Sequence, residues 1–192
     1  RGLGDVYKRQ PYDRAVIETY LELVSHFQGE RIALSIFNST SRTVFPLTDD
    51  YDLVSSQLTK AADALRGVES QDDIDKMSDK DYQKIADWLE GTQNRKNSTS
   101  LIGDGLVSCA AMIPGFAYGD TSGATRQRPA SIVLATDNVA SGTPTYSLAQ
   151  ALDMAEASHI SVDGLFSGPR QSEGDATTTE MKQQIESRGG TF

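Results

Sequence analysis

Cysteine, histidine and tryptophan are scarce: one, two and one residues respectively in 192. A single cysteine, Cys109, excludes an intrachain disulfide. It lies in the apolar stretch Val107-Ser108-Cys109-Ala110-Ala111-Met112, where a buried thiol is the ordinary state, and no histidine stands near it in sequence to activate it. A cysteine-poor chain suits the cytoplasm and a Gram-positive cell surface equally well. His26 and His159 sit within or beside apolar elements without ligand spacing, so neither reads as a metal ligand or a catalytic base. No apolar run approaches the ~18–20 residues that cross a bilayer, and no signal peptide is visible.

Recognisable catalytic parts are also missing. There is no Gly-x-Gly-x-x-Gly after a strand and no Walker-type glycine–lysine loop, which leaves nucleotide binding without support. There is no Gly-x-Ser-x-Gly elbow and no His-Glu-x-x-His. A small α/β hydrolase or phosphatase would need a nucleophile and a base that the chain does not offer. The expectation is a protein that is not an enzyme.

What is present is negative charge and enough apolar material for one core. Eighteen basic residues stand against 27 acidic ones, a net charge of −9, and 38% of the residues are hydrophobic. Such a surface repels phosphate backbones and excludes nucleic acid as the natural partner, while metal cations and basic protein surfaces remain.

The first ten residues, Arg1 to Gln10, are basic in an acidic chain and begin without methionine. They read as a non-native segment. Residues 11–192 then form one domain carrying a polar insertion at about 67–97, and Gly189-Gly190-Thr191-Phe192 ends where a further strand is expected.

Within that domain, Val16, Tyr20, Leu23, Val24 and Phe27 recur at helical spacing from Asp13, a candidate cap, to Phe27. Arg31 to Phe37 reads as a buried strand and Thr43 to Leu47 as a second one, placed at a sheet edge by Pro46. A helix capped by Thr48 runs from about Asp50 to Leu65 with Leu53, Val54, Leu58, Ala61, Ala62 and Leu65 inward. In the insertion, Asp72, Asp73, Asp75, Asp79 and Asp81 surround a short helix from Tyr82 to Glu90, and their spacing does not match a calcium loop. A helix holding Cys109 ends near Pro114, Ser131 to Thr136 is a buried strand, Tyr146 to Ala157 a helix, Ile160 to Phe166 a strand and Thr178 to Arg188 a last helix. Helices alternating with short apolar strands imply an α/β fold with a doubly wound, mostly parallel sheet.

In such a sheet ligands bind beyond the carboxyl ends of the strands. Asp137 follows the strand Ser131–Thr136, and Ser98, Thr99 and Ser100 precede a helix, so both groups belong to that rim. Hydroxyls and carboxylates are suitable ligands for magnesium. Helix capping is the competing reading of the serines, and a plain turn is that of Asp137.

The order and wording of these segments resemble the von Willebrand factor A family. The resemblance rests on Gly29 to Phe37, Thr43 to Asp50, Ser100-Leu101-Ile102-Gly103-Asp104-Gly105-Leu106, Thr136-Asp137 and the final Gly189-Gly190. It spans about residues 13–192 and is nearest in wording to bacterial stand-alone or membrane-anchored members, often associated with MoxR-type ATPases. It implies a divalent-metal-dependent protein-binding module, holding Mg2+ or Mn2+ through Ser100 and Asp137 and through an Asp-x-Ser-x-Ser loop, with a partner's acidic side chain completing the shell. That loop and the opening strand before it belong just upstream of residue 11, where this sequence has Arg1 to Gln10. The resemblance therefore implies an incomplete site, probed by weak or absent metal binding. It also places the opening strand between 32–37 and 131–136, so that its loss leaves two open sheet edges and a marginally stable or aggregation-prone chain. The alternative is a structural assembly domain with a degenerate, metal-free site, for example a partner of a MoxR-type ATPase. A membrane-anchored or cell-surface location is favoured over the cytoplasm on the same resemblance.

Overall fold

A computed structural model describes residues 10–67, 73, 75–118, 128–168 and 170–192. The segment 1–9 and Asp72 of the acidic run lie outside the described residues.

The chain runs α1 (Gln10–Leu23), a single 3-10 turn (Val24–His26), β1 (Ile32–Phe37), β2 (Ser41–Thr48), α2 (Tyr51–Ala64), α3 (Asp79–Leu89), α4 (Ile102–Ala110), β3 (Ala130–Thr136), α5 (Leu148–Ala157), β4 (Ile160–Phe166) and α6 (Ala176–Glu186). This is the expected α/β architecture. Among the described residues the four strands form two pairs: β1 with β2, and β3 with β4. The first pair is antiparallel because only Asn38 to Thr40 connects its strands. The second is parallel in unbroken register from Ala130↔Ile160 to Thr136↔Phe166, and α5 makes the crossover. Pro46, with no N–H to give, lies where the β1–β2 register shifts between Ile32 and Leu34.

Helix ends follow local chemistry. Asp50, not Thr48, caps α2, accepting from the Leu53 N–H at 3.0 Å, while Thr48 accepts from the Asp50 N–H at 3.1 Å. Leu53, expected inward, is exposed, and Val54, Leu58, Ala61 and Leu65 carry the buried stripe. Asp13 is not a cap either, because α1 begins at Gln10 and places it within the first turn. Ser147 and Gln150 form a reciprocal capping box on α5.

Two cores lie on opposite faces of β1. Ile32 and Leu34 pack with α1 and α2 around Phe45 and Val54, and Phe37, of opposite parity, packs with α4, β3 and α5 around Leu106 and Ile132. The insertion is no free excursion. Ile85 of α3 is buried among Met77, Tyr82 and Leu89, the Thr92 carbonyl accepts from the Thr40 N–H at 3.0 Å, and the Arg42 guanidinium stacks 5.5 Å from the Trp88 ring. Asp79 and Asp81 occupy the first turn of α3, where the helix dipole favours negative charge.

Candidate functional site: the rim between β1 and β3

Ser100, Asn38 and Asp137 are distant in sequence and line one cavity. Their positions follow from a set of backbone constraints. Asn38 ends β1 and is buried; its Oδ1 accepts from the Ser100 N–H at 3.0 Å and its carbonyl from the Leu101 N–H at 2.8 Å. These bonds hold Ser100 at φ 49°, a left-handed conformation that costs a non-glycine residue roughly 1–2 kcal/mol. Such a cost persists only where the surroundings enforce it. Next to it, Thr99 and Ser141 form an antiparallel bridge, exchanging N–H···O bonds of 3.0 Å each way. Gly142 lies against Ser98, where a Cβ would come within 2.4 Å of the serine Oγ.

That bridge ties the Ser100 loop to the loop carrying Asp137. Asp137 Oδ1 accepts from the Val139 N–H at 3.0 Å, and Asn138 between them adopts φ 56°. Asp104, in the first turn of α4, clamps the same loop further along: its carboxylate accepts from Thr145 N–H at 3.0 Å and Tyr146 N–H at 2.7 Å. The helix-capping reading of the serines does not hold, since Leu101 occupies the N-cap of α4 and no side chain caps it.

A third acid joins the rim. Asp13 of α1 lines the same cavity, and desolvation pushes its carboxyl up from 3.8 to about 7, with the charge of Asp137 adding to the rise. Ser167, just past β4, pulls it the other way, though without the geometry of a full hydrogen bond: its buried Oγ has no hydrogen-bond partner. Asn38 Nδ2 is likewise buried and unpartnered. Sequence reasoning missed Asp13, Asn38 and Ser167. A lone acid in a first helical turn and two polar residues at strand ends carry no spacing signal.

The oxygens gathered here, Ser100, Asp137 and Asp13, are hard donors of the kind magnesium and manganese accept. They agree with the implied metal in type and fall short in number. No group of three or more His, Cys, Asp or Glu able to hold a metal occurs among the described residues. His26 and His159 are exposed and stand apart from the rim. The Cys109 thiol, pushed up to about 11 by burial, is no nucleophile at neutral pH.

No protein-family model matches the chain, and no curated protein matches it. Two solved structures do. The conserved hypothetical protein BatB from Bacteroides thetaiotaomicron superposes with a TM-score of 0.52 at 15% identity, over 92% of this chain and 76% of that one. An uncharacterised membrane-spanning protein from Vibrio fischeri matches with a TM-score of 0.29 at 17% identity, over 92% and 74%. At these identities the first likeness speaks for the fold alone. No helix among the described residues is long and apolar enough to cross a membrane.

Proposed function

We propose that the chain is a von Willebrand factor A-type binding module whose rim is part of a divalent-cation site that grips a carboxylate on a protein partner. The observation that carries this reading is that Ser100 and Asp137, in the loops before α4 and after β3, line the same cavity as Asp13. That is where an α/β sheet places its ligands. Burial is the main cause of the raised Asp13 carboxyl, and a cation there would offset both that desolvation and the smaller repulsion from Asp137. Magnesium or manganese prefers about six oxygens, so Ser100 and Asp137, with Asp13 beside them, leave positions for water, for an upstream loop and for the partner's acid. The cation would supply the attraction for that acid. The protein residues fix its place.

A second reading is a metal-free assembly domain, such as a partner of a MoxR-type ATPase. It is favoured by the absence of a three-acid cluster among the described residues. Manganese titration followed by electron paramagnetic resonance separates the two. The module reading expects saturable Mn2+ binding, weak in the 192-residue chain, that Asp137→Asn abolishes. Binding unchanged by that substitution, or none at millimolar Mn2+, leaves the assembly reading.

A further inference from the structure

The polar insertion at 67–97 returns to the rim along the β1–β2 hairpin and is fastened there. The Arg42 guanidinium stacks on the Trp88 ring and donates through Nη2 to the Trp88 carbonyl. The Thr92 carbonyl accepts from Thr40 N–H at 3.0 Å, and Thr92 is itself buried, its Oγ1 donating to the Leu89 carbonyl at 2.7 Å. The Oγ of Ser39, also buried, accepts from Asn94 N–H at 3.0 Å and from Arg95 N–H at 3.3 Å.

From the hairpin the bonds continue to Ser100. Asn38 N–H donates to the Thr40 carbonyl at 2.8 Å, and Asn38 Oδ1 in turn receives the Ser100 N–H at 3.0 Å. Thr92, Thr40, Asn38 and Ser100 thus form an unbroken run of hydrogen bonds from the insertion to the rim. A second route ends on the neighbouring loop. Arg95 Nη1 donates to the Thr143 carbonyl at 3.3 Å, two residues past the Ser141 that bridges Thr99.

We propose that the insertion is a control strap for the rim. Seated on the hairpin, it holds Ser100 in its left-handed conformation; unseated, it lets Ser100 relax and takes the hydroxyl away from Asp137. Ser39 and Thr92 are the positioning residues, and both act through Asn38. Ser100 makes the device possible, because at φ 49° a serine is held against its own preference and stays only while its neighbours enforce it. Asn97, where the insertion enters the rim loop, is also left-handed at φ 79°, so two such residues bracket Ser98 and Thr99 as a hinge. The Thr99–Ser141 bridge fixes one flank of that hinge and leaves the Ser100 N–H to Asn38. The consequence for cation affinity rests on the function proposed above. The coupling between insertion and rim does not, since every bond in it lies within the chain.

Amide hydrogen exchange on the 192-residue chain, read by nuclear magnetic resonance, tests the strap. Ser39→Ala deletes one oxygen and leaves Asn38 in place. Exchange of the Ser100 and Leu101 amides should become about tenfold faster in S39A, while Met181 and Ile185 of α6 keep the parental rate. Trp88→Ala unseats the strap from its far end and should do the same without touching the turn. Ser100→Gly separates positioning from general support. Glycine adopts this φ freely, so in the S100G background S39A should leave Leu101 exchange unchanged. Faster exchange confined to residues 79–96 in both S39A and W88A overturns the proposal. So does an equal S39A effect with and without S100G, or a uniform rise that includes α6. Mn2+ titration of the same proteins keeps the two proposals apart. Weaker Mn2+ binding by S39A supports the strap at the rim, and equal binding by S39A and the parent overturns its role there. If neither binds Mn2+, the cation reading fails and the exchange rates alone decide the coupling.

Discussion

Asp13 and Asp137, 124 positions apart in sequence, line the same cavity between β1 and β3, and the charge of Asp137 adds to the burial that pushes the Asp13 carboxyl up to about 7. The two acids arrive from different faces of the fold, one on the helix below the cavity and one past the strand that walls it. Asp13 is partly buried as a residue while its carboxyl is strongly desolvated. In that setting the cheaper state of the pair keeps one proton.

The sign of the pH effect follows. Folding raises this carboxyl from 3.8 to about 7, so the folded state keeps a proton that the unfolded chain releases. The favourable contribution is complete below the unfolded value and is lost as pH rises through the folded one. Asp13→Asn is neutral at every pH and removes that loss. Urea midpoints at about pH 5 and about pH 8 should fall between the two for the parent and change much less for D13N. Asp137→Asn should give an intermediate slope by removing the repulsion alone. Equal slopes in parent and D13N would place the Asp13 carboxyl in water.

Much of the fold was legible because it is written in local periodicity. The strands at 32–37, 130–136 and 160–166 are short apolar runs bounded by turn residues, and the helix at 51–64 repeats its apolar stripe without interruption. Ser100 and Asp137 were legible as rim residues because strand and helix ends predict the rim. Three things were not. Asp13 looked like a helix cap, since nothing in sequence tells that α1 begins at Gln10 and turns that acid into the cavity. Asn38 carried no signal of its own, since its role is a bond to a residue 62 positions away. The insertion looked solvated because only Ile85, one residue in a charged helix, marks its buried side. Each failure is a long-range contact that no window of periodicity contains.

The loop before α5 depends on two neighbouring residues of α4. Asp104 accepts from two backbone N–H groups, and hydrogen bonds to a charged acceptor contribute about 1.5–3 kcal/mol each when well formed. Asp104→Ala should therefore lower stability by about 2 kcal/mol and loosen residues 143–147 in amide exchange. Gly103 is bound by space: a Cβ there would stand 2.0 Å from the Tyr146 carbonyl oxygen, which is backbone and cannot rotate away. Gly103→Ala should cost about 1–3 kcal/mol although alanine is the better helix former. A G103A protein as stable as the parent in chemical denaturation would show that α4 and the α5 entry do not meet so closely.

Cys109 reports on the cavity from its floor. Burial raises its thiol from 9.0 to about 11, so at about pH 8 only a very small share is thiolate, the form that attacks alkylating reagents. Iodoacetamide should label the folded chain far more slowly than the same chain in guanidinium, where the thiol returns to its ordinary range. Because Cys109 also lines the cavity, opening of the cavity sets the residual rate in the folded state. Divalent cations at the rim should leave that rate alone, and Val133→Lys, which wets the cavity, should raise it. Labelling as fast in the native protein as in denaturant would mean that β1 and α4 separate readily and that the cavity walls are not held in place.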